Sequence, residues 1–390
     1  MNSIFSQIKN EKSYMSGLRR HFHQYPEPSF EEYKTAEKIG EELSSLGIPN
    51  RRIGETGVLG SIKGKASGPE KIVVLRADID ALRIQEENEV DYRSKNTGVM
   101  HACGHDGHTA ALLGAAKVLM SRRDNFCGEV RLVFQQAEEA GGGANVFIEE
   151  RALENADRVL GVHMMSNLDA GKIALMPGPV FAAIDHFRIT VKGKSAHIAT
   201  PQDGSDALYS ACQIVNAIQG LVTRGTSPVD TVLIGIGMLH AGKAHNIIAD
   251  EAVMEGTLRT FSSKLRQDLK EKTANLCRYI ALSSGTECSI EWRDFASLLV
   301  NNEQVTDEAR EIASTFAKEV ITDHDRMLGG DDFAEFLNVI PGVYAFIGCK
   351  KSGQEAIPLH NCHFDIDEDA LVYAAGMYAE YAIWLLGGGA

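Results

Sequence analysis

Residues 100–111 read M-H-A-C-G-H-D-G-H-T-A-A, and an apolar run follows at once. Three histidines, a cysteine and an aspartate stand together there. Further on, Glu138 and Glu139 are adjacent behind a strand-like run, His163 ends another such run, and His360 lies in L-H-N-C-H-F. Cys103, His105, Glu139, His163 and His360 form the kind of mixed thiolate, imidazole and carboxylate set that a borderline divalent ion such as zinc accepts. The set is too large for one tetrahedral ion, which suggests two ions sharing a bridge. Paired ions generate hydroxide near neutral pH and clamp a tetrahedral intermediate. Neighbouring residues on an extended loop point in different directions. One carboxylate of the 138–139 pair would therefore bind metal while the other serves as general base to water and returns the proton to a leaving nitrogen. Gly141, Gly142 and Gly143 let that loop turn tightly.

Each residue alone also has a plain structural explanation. A single histidine at a strand end is ordinarily hydrogen-bonded scaffold, a Glu-Glu pair is ordinarily a solvated loop, and a lone cysteine is a small buried hydrophobe. His101 and His108 are read as caps of the following helix. Asp78 and Asp80 could be turn formers, although a carboxylate behind a ligand histidine is a common way to orient it. For no metal site to exist, all of these separate explanations would have to hold at once.

These residues need elements to position them. Runs 71–77, 129–134 and 158–163 read as buried strands, and 30–46 and 109–121 as helices. Strands separated by helices imply an α/β domain with a mostly parallel sheet flanked by helices. The polar clusters at 76–80, 135–143 and 161–165 all follow strands, at the edge where open α/β sheets place their ligands. From residue 184 the rhythm changes to strand 185–191, helix 207–221, strands 231–239 and 251–260, helix 265–283 and strand 286–292. That order is βαββαβ, a ferredoxin-like sandwich. Helix 304–320, strand 342–347 and helix 368–386 then resume the first texture. The expected organisation is a catalytic metal-binding domain of residues 1–183 and 296–390, with an inserted dimerisation and substrate-lid domain at 184–295.

The 390 residues carry a formal charge of −14 with no basic cluster, so nucleic acid and anionic membrane are not expected partners. No apolar run approaches the roughly 20 residues that span a bilayer. The opening MNSIFSQIKNEKSY lacks an apolar stretch ending in a small-residue cleavage site, and the chain is read as cytoplasmic. Seven irregularly spaced cysteines do not suggest a disulfide framework.

Over nearly its whole length the sequence resembles the amidohydrolase branch of the M20 metallopeptidases, a group that includes hippurate hydrolases, auxin-conjugate hydrolases and N-acyl-amino-acid deacylases. The segments that carry the resemblance are L-R-R-H-F-H-Q-Y-P-E-P-S-F (18–30), L-R-A-D-I-D-A-L (75–82), M-H-A-C-G-H-D-G-H-T (100–109), Q-Q-A-E-E-A-G-G-G (135–143), G-V-H-M (161–164), K-G-K-S-A-H (192–197), A-H-N-I-I-A-D-E-A-V-M-E-G-T-L-R-T-F (244–261), G-G-D-D-F-A-E-F (329–336) and P-L-H-N-C-H-F (358–364). The resemblance implies Cys103, His105, Glu139, His163 and His360 as metal ligands, Glu138 as catalytic base and Asp80 as the aspartate that orients the site. It implies two divalent ions per chain, manganese, zinc or cobalt. It also implies a homodimer and substrate contacts from His197, Asn246 and Arg259, with His197 reaching a partner subunit's site. Related branches carry a ligand histidine at the position of Asp78. Asp331 replaces an expected Glu, Cys362 an expected Pro, Ser195-Ala196 a Gly pair and Gln202 a frequent His, all read as neighbours of the substrate pocket or its hinge.

The leading expectation is a dinuclear amidohydrolase that cleaves N-acyl amino acids, hippurate-like or N-acetylated. A metal-dependent carboxypeptidase or dipeptidase of the same family is the alternative. A cysteine hydrolase with Cys103 as nucleophile leaves Glu138, Glu139, His163 and His360 unexplained, and a non-catalytic scaffold leaves the retained ligands and base without purpose.

Overall fold

Residues 72–75 of the strand Ile72–Asp78 are apolar on both faces, and such a strand is stable only at the centre of a sheet covered on both sides. In the computed structural model, which describes residues 3–387, it is central. It lies between Glu129–Gln135 and Arg158–Asp169, parallel to both, and Gly342–Lys350 continues the sheet in parallel beyond Arg158–Asp169. Asn50–Ile53 and Gly57–Lys63 add an antiparallel hairpin at one edge, and Lys172–Ala174 with Glu319–Ile321 extend the other. These edge strands are too short or too irregular in pattern to be read from periodicity. The stretch read as one helix at 304–320 is instead a helix, Glu303–Ser314, and the strand Glu319–Ile321. The β-branched Val320 and Ile321 suit the strand.

Two helices cover the sheet with faces apolar almost all round, as buried helices must be. His105–Ser121 exposes almost nothing, and Ala370–Leu386 buries residues from Ala370 to Leu386. The first begins four residues earlier than its periodicity indicates, at His105, because Gly104 turns the chain in with φ +91°. A Cβ on Gly104 would lie 3.0 Å from the Cβ of Met164, so glycine is needed for space as well as for conformation. Two N-terminal helices, Ile4–Asn10 and Lys12–Gln24, were not expected. The second explains the R-R-H-F-H motif. Arg19 Nε donates to Asp106 Oδ2 at 2.8 Å, and the buried His23 ring lies 2.8 Å from the same oxygen and 3.1 Å from Glu86 Oε1. The helix N-terminus that carries His105 is thereby tied to a second helix.

By Cα proximity the chain divides into two units. One comprises the chain up to Val180, Val300–Asp325 and from Asp331 onward; the other is Phe181–Leu299 with Arg326–Gly330. The pentapeptide 326–330 thus joins the second unit, where the sequence reading had placed it in the first. The second unit contains an antiparallel sheet in the spatial order Glu287–Ala296, Ala183–Lys192, Glu251–Thr260, Val232–Ala241, with helices Ala207–Gly225 and Ser263–Ser283 supplying its core. The chain order is βαββαβ, as the sequence indicates. Among the described residues, no helix is long and apolar enough to cross a membrane.

Arg76, like Arg19, is a fully buried cation of the first unit. Its guanidinium donates to Asp78 at 2.6 Å, Asp331 at 3.1 Å, Asp332 at 3.3 Å and Gln135 at 2.8 Å. Tyr344 Oη donates to Asp331 at 2.5 Å, and Gln135 Nε2 donates to Asp332 at 2.6 Å. Asp331, expected near the substrate pocket or its hinge, is a buried partner of Arg76. Loss of one member of a buried charge set strands the others. Arg76→Met should therefore destabilise this unit by about 3–5 kcal/mol, read as an earlier urea transition by circular dichroism.

Candidate metal centre

The register of the parallel strands brings the site together. Asp78 pairs with Gln135, and Arg76 pairs with Gly161. Two residues further along each strand, Asp78 and His163 stand level, since residues two apart share a face. His163 is not at a strand end as expected. Its strand continues to Asp169, and His163 sits in its middle opposite Phe346. Glu138 and Glu139 likewise lie in a turn rather than an extended loop, closed by Gly141 N–H donating to the Glu138 carbonyl at 3.0 Å. Ala137, with φ +53°, enters that turn and is anchored where its N–H donates to Glu32 Oε1 at 2.8 Å. Both glutamates consequently face the same imidazole instead of diverging.

That imidazole is His105. Its Nδ1 is 3.0 Å from the Asp80 carbonyl and 3.2 Å from Asp80 Oδ1. Its Nε2 is buried without a hydrogen-bond partner and is ringed by Asp78 Oδ2 at 3.7 Å, Glu139 Oε1 at 3.9 Å and Glu138 Oε2 at 4.0 Å. Asp80 Oδ2 accepts from Ser29 Oγ at 2.7 Å and from the Glu139 N–H at 2.9 Å, so one carboxylate orients the ring and fixes the glutamate turn. Cys103 Sγ is 3.5 Å from His163 Nε2, and the other nitrogen of that ring donates to the Met164 carbonyl at 2.8 Å. His360 has φ +61°, unusual for a residue with a Cβ, and its N–H donates to the Ala102 carbonyl at 2.8 Å. Its Nε2 stands 3.3 Å from Glu139 Oε1. Backbone strain at such a position is characteristic of functional sites.

A tetrahedral ion with bonds of about 2.0–2.3 Å separates its donors by about 3.3–3.8 Å. The Cys103–His163 and His360–Glu139 separations fall in that range. Three overlapping triads, Cys103–His105–His163, Cys103–Glu139–His360 and His105–Glu138–Glu139, each keep their donor atoms within 4.8 Å of one another. The electrostatics agree. Burial alone would lower the His105 pKa, yet Asp78, Asp80 and Glu139 outweigh it and carry it up to about 10. Burial, with Asp331 and Glu139 nearby, pushes Glu138 well above the usual carboxylate range. Burial, with Glu139 and Glu138, pushes the Cys103 thiol well up. The buried centre therefore carries excess negative charge and two orphaned donors, His105 Nε2 and Glu139 Oε1, and its residues fit a divalent cation.

Other expected residues lie elsewhere. His101 and His108 do not cap the helix, which has no side-chain cap. His108 Nε2 accepts from the Met164 N–H at 2.8 Å and its Nδ1 lies 2.5 Å from Asp78, so its proton belongs to Nδ1. His101 is buried, with Asp106, His23 and His105 as its charged neighbours. In the second unit, His197 and Asn246 come together: His197 bridges Ile247, and the Ile198 N–H donates to the Asn246 carbonyl at 3.0 Å. Arg259 is not with them. It pairs with Ile184 at the other end of the strand and donates to the Leu328 carbonyl at 2.8 Å. Sequence reasoning missed Arg76, Ser29 and Glu32 as supports. Only the proximity of Ser29 to the P-E-P turn and of Arg76 to the R-A-D-I-D cluster hinted at them.

The profile of Peptidase family M20/M25/M40 matches residues 74–383. The chain belongs to this family. It is 40% identical over 371 residues to an N-acetyl-L-cysteine deacetylase of Bacillus subtilis, covering 95% of this chain and 88% of that protein. It is 38% identical over 389 residues to thermostable carboxypeptidase 2 of Saccharolobus solfataricus, covering 98% of each. It is also similar to the crystal structure of the Bacillus subtilis YXEP protein, a dinuclear metal-binding peptidase from the M20 family, with TM-score 0.83, 34% identity and coverage of 97% of this chain and 99% of that one. This M20 protein is a metal-dependent hydrolase of the amidohydrolase and peptidase class.

Asp80 is the common support of ring and turn. Asp80→Asn should weaken divalent-metal binding about 10–100-fold, measured by equilibrium dialysis of the chelator-treated protein against zinc and manganese.

Proposed function

We propose that this M20 hydrolase is a dinuclear amidohydrolase that cleaves the amide bond of N-acyl amino acids. The observation that carries the reading is the pair Glu138–Glu139. Both carboxylates approach His105 Nε2, but only Glu139 also meets His360, which leaves Glu138 for proton transfer. Cys103, His105, Glu139, His163 and His360 would hold two divalent ions. Cysteine ligation favours zinc, while the carboxylate-rich part of the set accepts manganese or cobalt. When bound, the ions polarise the amide carbonyl and acidify water.

The rest falls to the chain's own residues. The Glu138 carboxylate takes a proton from the attacking water and delivers it to the departing nitrogen. Its buried, carboxylate-crowded position raises its proton affinity toward the working range of a base. Asp80 holds His105 through Nδ1, and the Met164 carbonyl holds His163 through Nδ1, so that each Nε2 faces inward. We assign recognition of the substrate carboxylate to His197 and Asn246, which lie together at the exposed bridge of His197 with Ile247. The deacetylase relative supports an N-acyl amino acid substrate. The carboxypeptidase relative supports the second reading, cleavage of short peptides at the same centre.

Glu138→Gln should keep both ions and lower kcat about 10²–10⁴-fold on a panel of N-acetyl and N-benzoyl amino acids. Retention of both ions and full turnover would refute the assignment. The ranking of that panel against dipeptides separates the two substrate readings.

We also infer a homodimer through the second unit. The edge strand Val232–Ala241 leaves Leu233, Met238 and Leu239 exposed, and an apolar edge left uncovered invites pairing. Light scattering should give twice the chain mass for the native protein and a shift toward the monomer for Leu239→Glu. The seven unpaired cysteines support a reducing, cytoplasmic location.

A further inference from the structure

Cys362 and His363 follow His360 by two and three positions, and the centre described above uses neither. Both side chains converge on Glu87, from a distant loop. His363 Nε2 is 3.4 Å from Glu87 Oε2, and the Cys362 thiol, the His363 ring and the Glu87 carboxylate keep their donor atoms within 4.8 Å of one another. The backbone holds the convergence in place. The Glu87 N–H donates to the Cys362 carbonyl at 3.0 Å, and the His363 N–H donates to Asn361 Oδ1 at 2.9 Å, which fixes the turn between the two donors.

We propose that Glu87, Cys362 and His363 form an auxiliary zinc site, separate from the centre of Cys103, His105 and Glu139. The chemistry of the donors points to that ion. One thiolate, one imidazole and one carboxylate make a three-ligand set that zinc accepts with water in the fourth place, whereas calcium and magnesium need oxygen donors throughout. The 3.4 Å between the imidazole nitrogen and the carboxylate oxygen matches the donor spacing of about 3.3–3.8 Å around tetrahedral zinc. Partial exposure of all three side chains leaves the ion an entry path. Binding converts the Cys362 thiol to a thiolate and releases its proton to solvent. The bound ion would cross-link the loop bearing His360 to the segment around Glu87, in addition to their one backbone hydrogen bond. The thiol stands where the resembled pattern has proline, so the site belongs to this chain's own variation.

The test is a zinc titration of the full-length protein by equilibrium dialysis with metal analysis, comparing the native chain with Cys362→Ser and His363→Ala. Each variant should bind about one zinc ion per chain fewer than the native protein. In parallel, alkylation mapped by peptide mass should show Cys362 protected by zinc in the native chain, and Cys212, an exposed cysteine of the second unit, unprotected. Equal zinc binding by all three proteins, or alkylation of Cys362 at the same rate with and without zinc, would overturn the proposal. The readout is a difference in bound zinc and does not depend on turnover. Failure here therefore leaves the Glu138 assignment untouched, and failure of that assignment leaves this site standing.

Discussion

The first unit of this protein is organised around negative charge buried at the carboxyl edge of a parallel sheet. Asp78, Asp80, Glu138, Asp331 and Asp332 are all nearly or fully buried, and one guanidinium, Arg76, touches three of them. A low-dielectric interior does not tolerate such a set unless cations and hydrogen bonds answer it. Arg76 answers it from below. From above, the excess is left facing His105, Cys103, His163 and His360, which are donors suited to a divalent ion. The scaffold and the centre thus meet in one electrostatic constraint, with Asp78 shared between them through Arg76 and His108.

Rigidity around that charge comes from three anchors. Asp80 connects the His105 ring, Ser29 and the glutamate turn. Asp106, next to His105, is bound to Arg19 and His23 on a separate helix. His360 is pinned in a left-handed conformation by the Ala102 carbonyl, one residue from Cys103. His105, Glu139, His163 and His360 are therefore placed by backbone or buried hydrogen bonds rather than by flexible side chains. Catalysis by positioned groups requires this, since small displacements are costly in rate.

The second unit obeys different physics. Its four-stranded sheet has helices on one face, so its strands alternate and its βαββαβ order could be read directly from the sequence. Its exposed apolar edge and its bridge of His197 with Ile247, beside Asn246, are surface features.

Local sequence by itself determined the periodic elements and the candidate donors. Buried strands such as Ile72–Asp78 announce themselves through a short apolar run, here residues 72–75, that burial on both faces demands, and a metal ion demands particular atoms, so Cys103, His105, Glu139, His163 and His360 could be singled out as candidates from residue type and motif. Tertiary structure alone decided what each donor faces. Arg76 and Ser29 stand inside recognisable motifs, but nothing local shows what they pair with, because their partners are distant in the chain. The start of the helix at His105, the turn at Glu138 and the strand running through His163 were misjudged because Gly104, Ala137 and the pairing with Gly342–Lys350 override local pattern. The meeting of Glu87 with Cys362 and His363 joins segments hundreds of residues apart, and only the folded backbone specifies it.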